Sequence, residues 1–326
     1  MKAVCVQNQN AKKVLDFLKP KFLLKNFLII KQDSKMFIPV IDSFDISNTI
    51  IQNIAFVVEN IEFKEKPKKS QNPKNFKKEI MKILTEKEKK SIKPTYELLG
   101  KIAILEIDEV LNPKMFEIGK ILLECNPKVN TVVKKRGSHE GEFRIQKYDY
   151  ICGEETMITK HKENNCVINI EIDKMYFSSK SASERKRIFS QIKTNEKVLV
   201  MFSGCGPFVC TIAKNSPAQK VVGIELNPDA HQYSLLNIKE NQIENIVDLY
   251  LGDVRQICPE LKENDQYFDR IVMPLPKTAE EFLPDAFIVA KNSTIIHLYD
   301  FVELANFPQN VIQKIEFFCS KFGSEI

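Results

Sequence analysis

The segment from Lys197 to Ala230 constrains the fold of this 326-residue chain more than any other. It reads KVLVMFSGCGPFVCTIAKNSPAQKVVGIELNPDA. Its first apolar run, Val198–Phe202, is short and uninterrupted, which favours a strand that is buried on both faces. A glycine turn follows, Pro207 suits a first helical turn, and a second apolar run ends on Glu225. The segment therefore predicts a strand, a glycine turn, a helix and a second strand.

This unit is typical of sites that bind a nucleoside. Glycines let a ligand approach the backbone, and an acid about 20 residues further on accepts hydrogen bonds from ribose hydroxyls. A dinucleotide site requires a third glycine, where this chain has Val209. The turn at 203–208 (SGCGPF) instead resembles the (D/F)xGxGxF pattern of enzymes that use S-adenosylmethionine (SAM), and Asp253 is placed to bind the adenine amino group. An ordinary βαβ unit without a ligand is the competing interpretation.

Composition narrows the class of protein to which the chain can belong. The hydrophobic share of 43% is enough for a packed core, and the length suggests two or three domains. Eight Cys without a C-x-x-C pair and only four His argue against a metal site and a disulfide framework, and for a reducing cytoplasmic location. No apolar run reaches the ~18 residues of a membrane span and no signal peptide is recognisable, so no membrane association is expected.

The first part of the chain divides by pattern into a small domain and a basic segment. Residues 1–60 alternate strands with one helix, Ala11–Leu18, and predict a small α/β module. Residues 61–95 contain twelve Lys and five Glu and predict a linker followed by a charged helix over 77–90. Such a segment is either a solvated surface or a contact surface for a polyanion.

The remainder predicts a basic α+β region at 96–174 and a doubly wound α/β domain at 175–326. Lys residues alternate with apolar ones on the strands of the first region, which indicates one packed and one basic face and predicts that it binds RNA. The first of these is expected to contain a strand at 100–107, a helix at 113–125, strands at 131–136 and 143–145 around a turn at 137–141, and a hairpin through Asn164-Asn165. The second is expected to contain strands at 198–202, 221–225, 247–251, 269–273 and 294–298 and a last helix at 309–322. Methyltransferase sheets that bind SAM add a β-hairpin after this helix. No residues remain for one, so we expect an open edge at the fifth strand and a missing C-terminal segment.

Several short segments together resemble the archaeal and eukaryotic tRNA (guanine-N1) methyltransferases, which modify the guanine 3′ of the anticodon at tRNA position 37. They are Gly141–Arg144, Lys174–Ser178 with Ser183–Arg187, Phe202–Phe208, Glu225–Pro228, Asp253–Arg255, and Leu275–Lys277 with Ile296–Tyr299. The small N-terminal module matches the domain with which this family touches tRNA. The resemblance implies a Rossmann-like, SAM-dependent methyltransferase domain, a tRNA substrate, and a monomer without an obligate protein partner.

The resemblance also implies roles for individual residues. Glu184 is implied as the general base, because guanine N1 is a poor nucleophile until its proton leaves. Arg144 is implied to stabilise the charge that builds on the guanine carbonyl oxygen. The implied cofactor-binding residues are Tyr176, Phe202, Ser203, Gly204, Gly206, Phe208, Glu225, Leu226, Asn227, Asp253, Val254 and Pro274; the substrate-binding residues are Arg144, Lys180, Arg185, Pro274, Pro276 and Lys277; and no metal is expected. Without the family, Glu184 would be interpreted as a solvated helix residue beside Arg185 and Arg187.

One position departs from the family pattern and leaves more than one reaction open. The family often has Asn-Leu-Pro-Lys after the fourth strand, where this chain has Pro274-Leu-Pro-Lys277. Archaeal enzymes with Pro at this position include dual-function members that also methylate the tricyclic wyosine intermediate. The pattern is also compatible with transfer of the aminocarboxypropyl arm of SAM, and with an RNA-binding relative that has no catalytic activity. Flipping the guanine costs a few kcal/mol, which tRNA phosphate contacts of the N-terminal module and the Lys-rich segment are expected to offset.

Overall fold

We describe the protein from a computed structural model. It describes residues 1–24, 26–47, 49–63, 75–92, 95–275, 278–301 and 308–321, without the side chains of His139, Glu140 and Lys321. The chain forms two compact units, Met1–Pro73 and Lys74–Ile326. The finer division into four parts at residues 60, 95 and 174 stays a prediction. No helix in the described ranges combines the length and apolar character needed to cross a membrane.

The first unit packs one helix on a four-stranded antiparallel sheet. Its elements are β1 (Ala3–Gln7), α1 (Ala11–Leu18), β2 (Ile30–Gln32), β3 (Lys35–Pro39) and β4 (Ala55–Val58), and the strand order is β2-β3-β1-β4. Val14 and Leu18 lie on the same face of α1 because they are four residues apart, and both are fully buried together with Val4 and Ile38. The helix predicted over Ala11–Leu18 is confirmed.

The second unit begins with three helices and a mixed sheet. The helices are α2 (Phe76–Ile83), α3 (Glu86–Ser91) and α4 (Met115–Cys125), and the strands are β5 (Tyr96–Leu99), β6 (Ile102–Leu105), β7 (Thr131–Glu140) and β8 (Ile145–Gly153), in the order β5-β6-β7-β8. The single charged helix predicted over 77–90 is wrong, because α2 ends at Ile83 and Thr85 starts α3 through a capping box with Glu88. The observed strand β6 is shorter than the strand predicted over 100–107, because Gly100, at φ +57°, lies in the turn between β5 and β6.

A hairpin joins this sheet to the last part of the chain. Its strands are β9 (Ile158–Glu163) and β10 (Cys166–Glu171), and the helix α7 (Pro228–Asn241) packs on β10. Asn164 and Asn165 have φ values of +42° and +62°, as the predicted two-residue turn requires. The side-chain amides of Asn237 and Asn241 on α7 each accept from and donate to the backbone of one β10 residue, at 2.7–3.1 Å. These four hydrogen bonds attach the hairpin to α7, and they occupy backbone groups of β10 that a neighbouring strand would otherwise bind.

The last part of the chain is a five-stranded parallel sheet with helices between the strands. The remaining elements are α5 (Ala182–Phe189), β11 (Lys197–Met201), α6 (Pro207–Asn215), β12 (Lys220–Glu225), β13 (Val247–Leu251), α8 (Val254–Glu263), β14 (Phe268–Met273), α9 (Leu283–Ile288), β15 (Ala290–Leu298) and α10 (Gln309–Lys321). The strand order is β13-β12-β11-β14-β15. The apolar residues of β11 are completely buried, because helices cover both faces. The predicted doubly wound α/β fold is confirmed, and the order of the strands reverses between β11 and β14.

Candidate active site

A cavity of about 780 Å³ lies at the carboxyl ends of the parallel strands. Every strand of the sheet contributes to its wall through residues at or just after its carboxyl end: 202–204 for β11, 225–227 for β12, 252–254 for β13, 274–275 for β14, and Tyr299 for β15. Ligands of open α/β sheets bind at this edge, where the strand order reverses. The start of α5 and the turn between β7 and β8 complete the wall.

The glycine turn after β11 closes onto Glu225. The Gly204 N–H donates to Oε2 of Glu225 at 2.6 Å, and the Asn227 N–H donates to Oε1 at 2.8 Å. Burial raises the pKa of Glu225 above its usual value, although these backbone donors oppose the shift. A carboxylate accepts about four hydrogen bonds, so both oxygens can still accept from the two hydroxyls of a ribose. The contacts therefore place an acceptor for a nucleoside beside the turn.

Local backbone geometry explains why glycines stand in this turn. Gly204 has φ +57°, and the nearest atom to a Cβ placed there would be the Tyr176 carbonyl oxygen at 3.9 Å. Gly206 has φ +79°, and a Cβ there would lie 2.4 Å from Oγ of Ser234 on α7. Gly206 therefore lets α7 pack closely under the turn. The Ser203 hydroxyl is buried and bonds to none of the residues that the structure describes. The turn is therefore open to a ligand on the side of Gly204.

The carboxylate of Asp253, which caps the start of α8, is held by hydrogen bonds from Arg255. It accepts from the Arg255 N–H at 2.9 Å and from the Arg255 guanidinium Nε at 3.0 Å, and this bonding holds the pKa of Asp253 below its usual value. The guanidinium lies 5.7 Å from the centroid of the Phe282 ring, which packs edge-on against Phe202 at 4.9 Å. The adenine end of the predicted site therefore has two aromatic rings and an ion-paired acid.

Glu184 also lines the cavity and lies in the first turn of α5. Its Oε1 accepts from Arg187 Nη2 at 2.7 Å and from the Tyr299 hydroxyl at 2.6 Å, and its Oε2 accepts from Arg187 Nε at 2.8 Å. The bond from Arg187, with that from Tyr299, holds the pKa of Glu184 below its usual value against the effect of burial. Glu184 is therefore an ionised carboxylate at neutral pH.

Arg144 ends the turn that joins β7 to β8. The turn predicted at 137–141 is wrong, because β7 continues to Glu140 and the chain turns at Gly141–Arg144, where Arg144 itself has φ +51°. The strand predicted at 143–145 therefore begins later, at Ile145. A non-glycine residue in this region is strained, as is often found at functional sites. The guanidinium carbon lies 5.6 Å from the centroid of the Tyr176 ring, and both side chains line the cavity with Glu184.

Two family models match this chain. The TRM5/TYW2 methyltransferase domain matches residues 159–326, and the TYW2 N-terminal domain matches residues 77–156. The first match covers more than half of the chain. The chain belongs to the TRM5/TYW2 methyltransferase family. The predicted family resemblance is thereby confirmed.

Individual relatives agree with this membership. The tRNA (guanine(37)-N(1))-methyltransferase Trm5b of Pyrococcus abyssi is 36% identical over 71% of this chain and 67% of its own length. The tRNA (guanine(37)-N(1))/4-demethylwyosine(37)-methyltransferase Taw22 of Nanoarchaeum equitans is 30% identical over 68% of this chain and 89% of its own length. The solved complex of aTrm5 with tRNALeu superposes with a TM-score of 0.67 at 26% identity, over 98% of this chain and 92% of that one.

Most of the residues that the TRM5/TYW2 resemblance implies for the site line the one cavity. These are Arg144, Tyr176, Glu184, Arg185, Phe202, Ser203, Gly204, Phe208, Glu225, Leu226, Asn227, Asp253, Val254 and Pro274. Gly206 and Lys180 do not line it, since Gly206 shapes the turn and Lys180 is exposed just before α5. The side chain of Asn227 caps α7 and bonds the Lys174 carbonyl, so it acts in the fold. Pro276 and Lys277 lie outside the described residues.

Arg185 lines the cavity but is already engaged in a buried ion pair, and its role in binding the substrate stays a prediction. Its side chain is only 2% exposed, and Nη2 donates to Glu163 Oε2 at 2.6 Å and to the Ser178 carbonyl at 3.0 Å. Its guanidinium also lies over the ring of Phe177, at 5.2 Å. Arg185 therefore anchors α5, the helix that carries Glu184, to the hairpin strand β9.

Sequence reasoning left Tyr299 and Phe282 out of the predicted site. Tyr299 directly follows β15, and the general rule for carboxyl ends of strands could have found it. Phe282 lies before α9 in a segment without a recognisable motif, so no signal pointed to it. Within the described ranges, no group of three or more His, Cys, Asp or Glu side chains could hold a metal ion.

Proposed function

We propose that this protein transfers a methyl group from SAM to N1 of guanine 37 in tRNA. The observation that carries the proposal is that one cavity is lined by two chemically different sets of residues. One set is the glycine turn with Glu225, which suits the nucleoside part of SAM, and the other is the ionised Glu184 with Arg144. The relatives named as guanine-37 N1 methyltransferases, and the solved complex of one with tRNA, support the same substrate.

At the cofactor end, the chain's residues would hold SAM by its nucleoside. Both oxygens of Glu225 would accept from the ribose hydroxyls, and Phe202 and Phe282 would contact the adenine ring. Asp253 would accept from the adenine amino group while Arg255 keeps it ionised. When bound, SAM supplies a methyl group on a sulfonium, whose sulfur leaves as a neutral thioether.

At the base end, Glu184 would accept the proton of guanine N1 as the bond from N1 to the methyl carbon forms. The charges balance, because the guanine loses a proton, the carboxylate gains it, and the positive charge of the sulfonium disappears. Arg144 would stabilise the negative charge that develops on the guanine carbonyl oxygen. Its guanidinium is positioned for this by the tight turn and the ring of Tyr176.

The tRNA must present guanine 37 outside its stacked loop, at a cost of a few kcal/mol. We infer that the first unit, Met1–Pro73, and the Lys-rich segment 61–95 bind other parts of the tRNA, mainly its phosphates, and so offset this cost.

The experiment that tests the function uses two tRNA transcripts that differ only in having G or A at position 37. SAM labelled in its methyl group and SAM labelled in its carboxyl group are used in parallel. Methyl label on the G37 transcript alone, recovered as 1-methylguanosine after digestion, is the expected result. Carboxyl label on the tRNA would instead identify an aminocarboxypropyl transferase. Binding of SAM and tRNA without transfer of either label would identify a non-catalytic relative.

A second candidate is methylation of the tricyclic wyosine intermediate at the same position. The observation that favours it is Pro274, which lines the cavity where the family often has Asn, so that a side chain able to hold guanine is replaced by a smaller apolar one. Taw22 of Nanoarchaeum equitans, named for both activities, supports it. tRNA that carries the 4-demethylwyosine base tests this activity, which we expect in addition to guanine methylation. Absence of transfer to that tRNA would leave guanine methylation alone.

A further inference from the structure

We propose that Tyr299 is the positioning residue of the general base: its hydroxyl holds Oε1 of Glu184, so that Oε2 is the oxygen that takes the guanine proton. The inference deepens the proposed function and rests on it. It concerns a residue that follows the last strand of the sheet and is far from Glu184 in sequence, 115 positions away.

The hydrogen bonds of Glu184 distinguish its two oxygens. Oε1 accepts twice, from Arg187 Nη2 and from the Tyr299 hydroxyl, while Oε2 accepts once among the described residues, from Arg187 Nε. Each carboxylate oxygen has two lone pairs. Both lone pairs of Oε1 are therefore occupied, and the remaining acceptor position of the carboxylate is on Oε2. A guanine N1–H that approaches Glu184 finds its acceptor there.

Tyr299 is the hydrogen-bond donor that ties the Glu184 carboxylate to the parallel sheet. Arg187 is on the same helix, three residues away, and its side chain is 52% exposed, so its ion pair cannot fix where the carboxylate lies relative to the strands. Tyr299 comes from the carboxyl end of β15, and its ring packs against Phe208 of α6 with the ring centroids 6.1 Å apart. Phe208 also lines the cavity beside the glycine turn. The bond from Tyr299 thus fixes the base relative to the cofactor end.

The other charged groups near Glu184 leave this arrangement undisturbed. His297 faces Glu184 from β15, and its Nε2 lies 2.7 Å from Nη1 of Arg270 on β14. Burial and the charge of Arg270 lower the pKa of His297 to about 4, so His297 is neutral and accepts from Arg270. Arg270 in turn is paired with Glu196 at 2.8 Å. No hydrogen bond joins His297 to Glu184 in the described part of the chain, where the donors to Glu184 are Arg187 and Tyr299.

The experiment compares Tyr299→Phe with Tyr233→Phe in single-turnover methyl transfer to the G37 transcript. Tyr233 is a matched control, because its hydroxyl also donates to a carboxylate, Glu171 Oε2 at 2.9 Å, but it does not line the cavity. We expect Tyr299→Phe to slow the methyl-transfer step roughly tenfold or more, with unchanged dissociation constants for SAM and tRNA, and Tyr233→Phe to retain the wild-type rate. The acid limb of the rate profile should also move to higher pH, because Glu184 loses a donor that lowers its pKa.

A third variant separates a positioning role from a structural one. In a Glu184→Ala background, measured at alkaline pH where guanine loses its proton without a base, the added Tyr299→Phe change should have no effect. An equal slowing in both backgrounds, or a wild-type rate for Tyr299→Phe itself, overturns the inference. If Glu184→Ala slows methyl transfer in the same experiment, the proposed function holds even where the inference about Tyr299 fails. A wild-type protein inactive on the G37 transcript overturns both.

Discussion

The buried ion pair between Arg185 and Glu163 anchors α5, the helix that carries the proposed general base, and the substitution Glu163→Gln tests how much this pair stabilises the fold. The two side chains are only 2% and 4% exposed. Removing one partner of such a pair leaves a buried charge uncompensated, which costs about 3–5 kcal/mol. We therefore expect Glu163→Gln to lower the free energy of unfolding of the second unit by that amount. At roughly 2–4 °C per kcal/mol for a domain of this size, the midpoint of thermal unfolding falls by roughly 10 °C.

The matched control is Glu240→Gln. Glu240 pairs with Lys160 at 3.0 Å, and this pair also joins β9 to a helix of the methyltransferase sheet, but its side chains are 34% and 56% exposed. Exposed pairs contribute about 0–1 kcal/mol, so this variant should unfold almost as the wild type does. Thermal unfolding followed by circular dichroism, with the two variants side by side, measures the difference. Equal midpoints for both variants would refute the account of Arg185.

The pH dependence of the free energy of unfolding is a second test of the same ion pair. Burial raises the pKa of Glu163, but the bonds from His161 and Arg185 outweigh it, so the pKa lies below its usual value of 4.5. A carboxyl with a lowered folded-state pKa stabilises the fold above its unfolded pKa, and this stability is lost as the pH falls through the folded one. The difference in stability between wild type and Glu163→Gln should thus be constant near neutral pH and shrink below about pH 4.5. A difference that grows on acidification would contradict this sign.

The remaining predictions concern the glycine turn, the cofactor and the tRNA. Gly206→Ala should lower the free energy of unfolding by more than Gly141→Ala, for which we expect a loss of about 1–2 kcal/mol. Both glycines have positive φ, but of the two only Gly206 has a neighbour within 4 Å of the new Cβ. Equal losses in urea unfolding would contradict the packing argument. Glu225→Gln should weaken SAM binding, measured by calorimetry, roughly 10- to 100-fold, because an amide has one acceptor oxygen and cannot accept from both backbone donors and the ribose. An unchanged affinity would show that Glu225 does not bind the cofactor. The affinity for tRNA should fall roughly tenfold or more between about 50 and 200 mM salt, and a flat dependence would exclude the Lys-rich segment as a phosphate contact.

Local patterns in the sequence were sufficient to predict much of the second unit. The glycine turn and the acid after the next strand are determined by residues within about 25 positions of one another, so their geometry follows from short-range rules. The same holds for the Asn164-Asn165 hairpin, where both residues tolerate positive φ. A capping box at Thr85 was also present in the sequence, as Thr followed three residues later by Glu, and it would have divided the predicted helix over 77–90 correctly.

Contacts between distant segments could not be predicted in this way. The sequence at 183–187 places Glu184 and Arg185 side by side, but it does not show that Arg185 is buried in an ion pair with a residue of β9. Arg185 is paired with Glu163, a residue of another element, and Glu184 accepts a hydrogen bond from Tyr299, which follows β15. One sequence without its fold contains no signal for either pairing.

The most direct test of the central claim is the rate of methyl transfer by Glu184→Gln in a single turnover on the G37 transcript. Gln keeps the size of the side chain and removes its ability to accept a proton. We expect the rate at neutral pH to fall by about 10²- to 10⁴-fold, with SAM and tRNA still bound as tightly as by the wild type, and the remaining rate to rise with pH as guanine ionises. A wild-type rate for Glu184→Gln would show that another group takes the proton, and would contradict the assignment of this cavity's base.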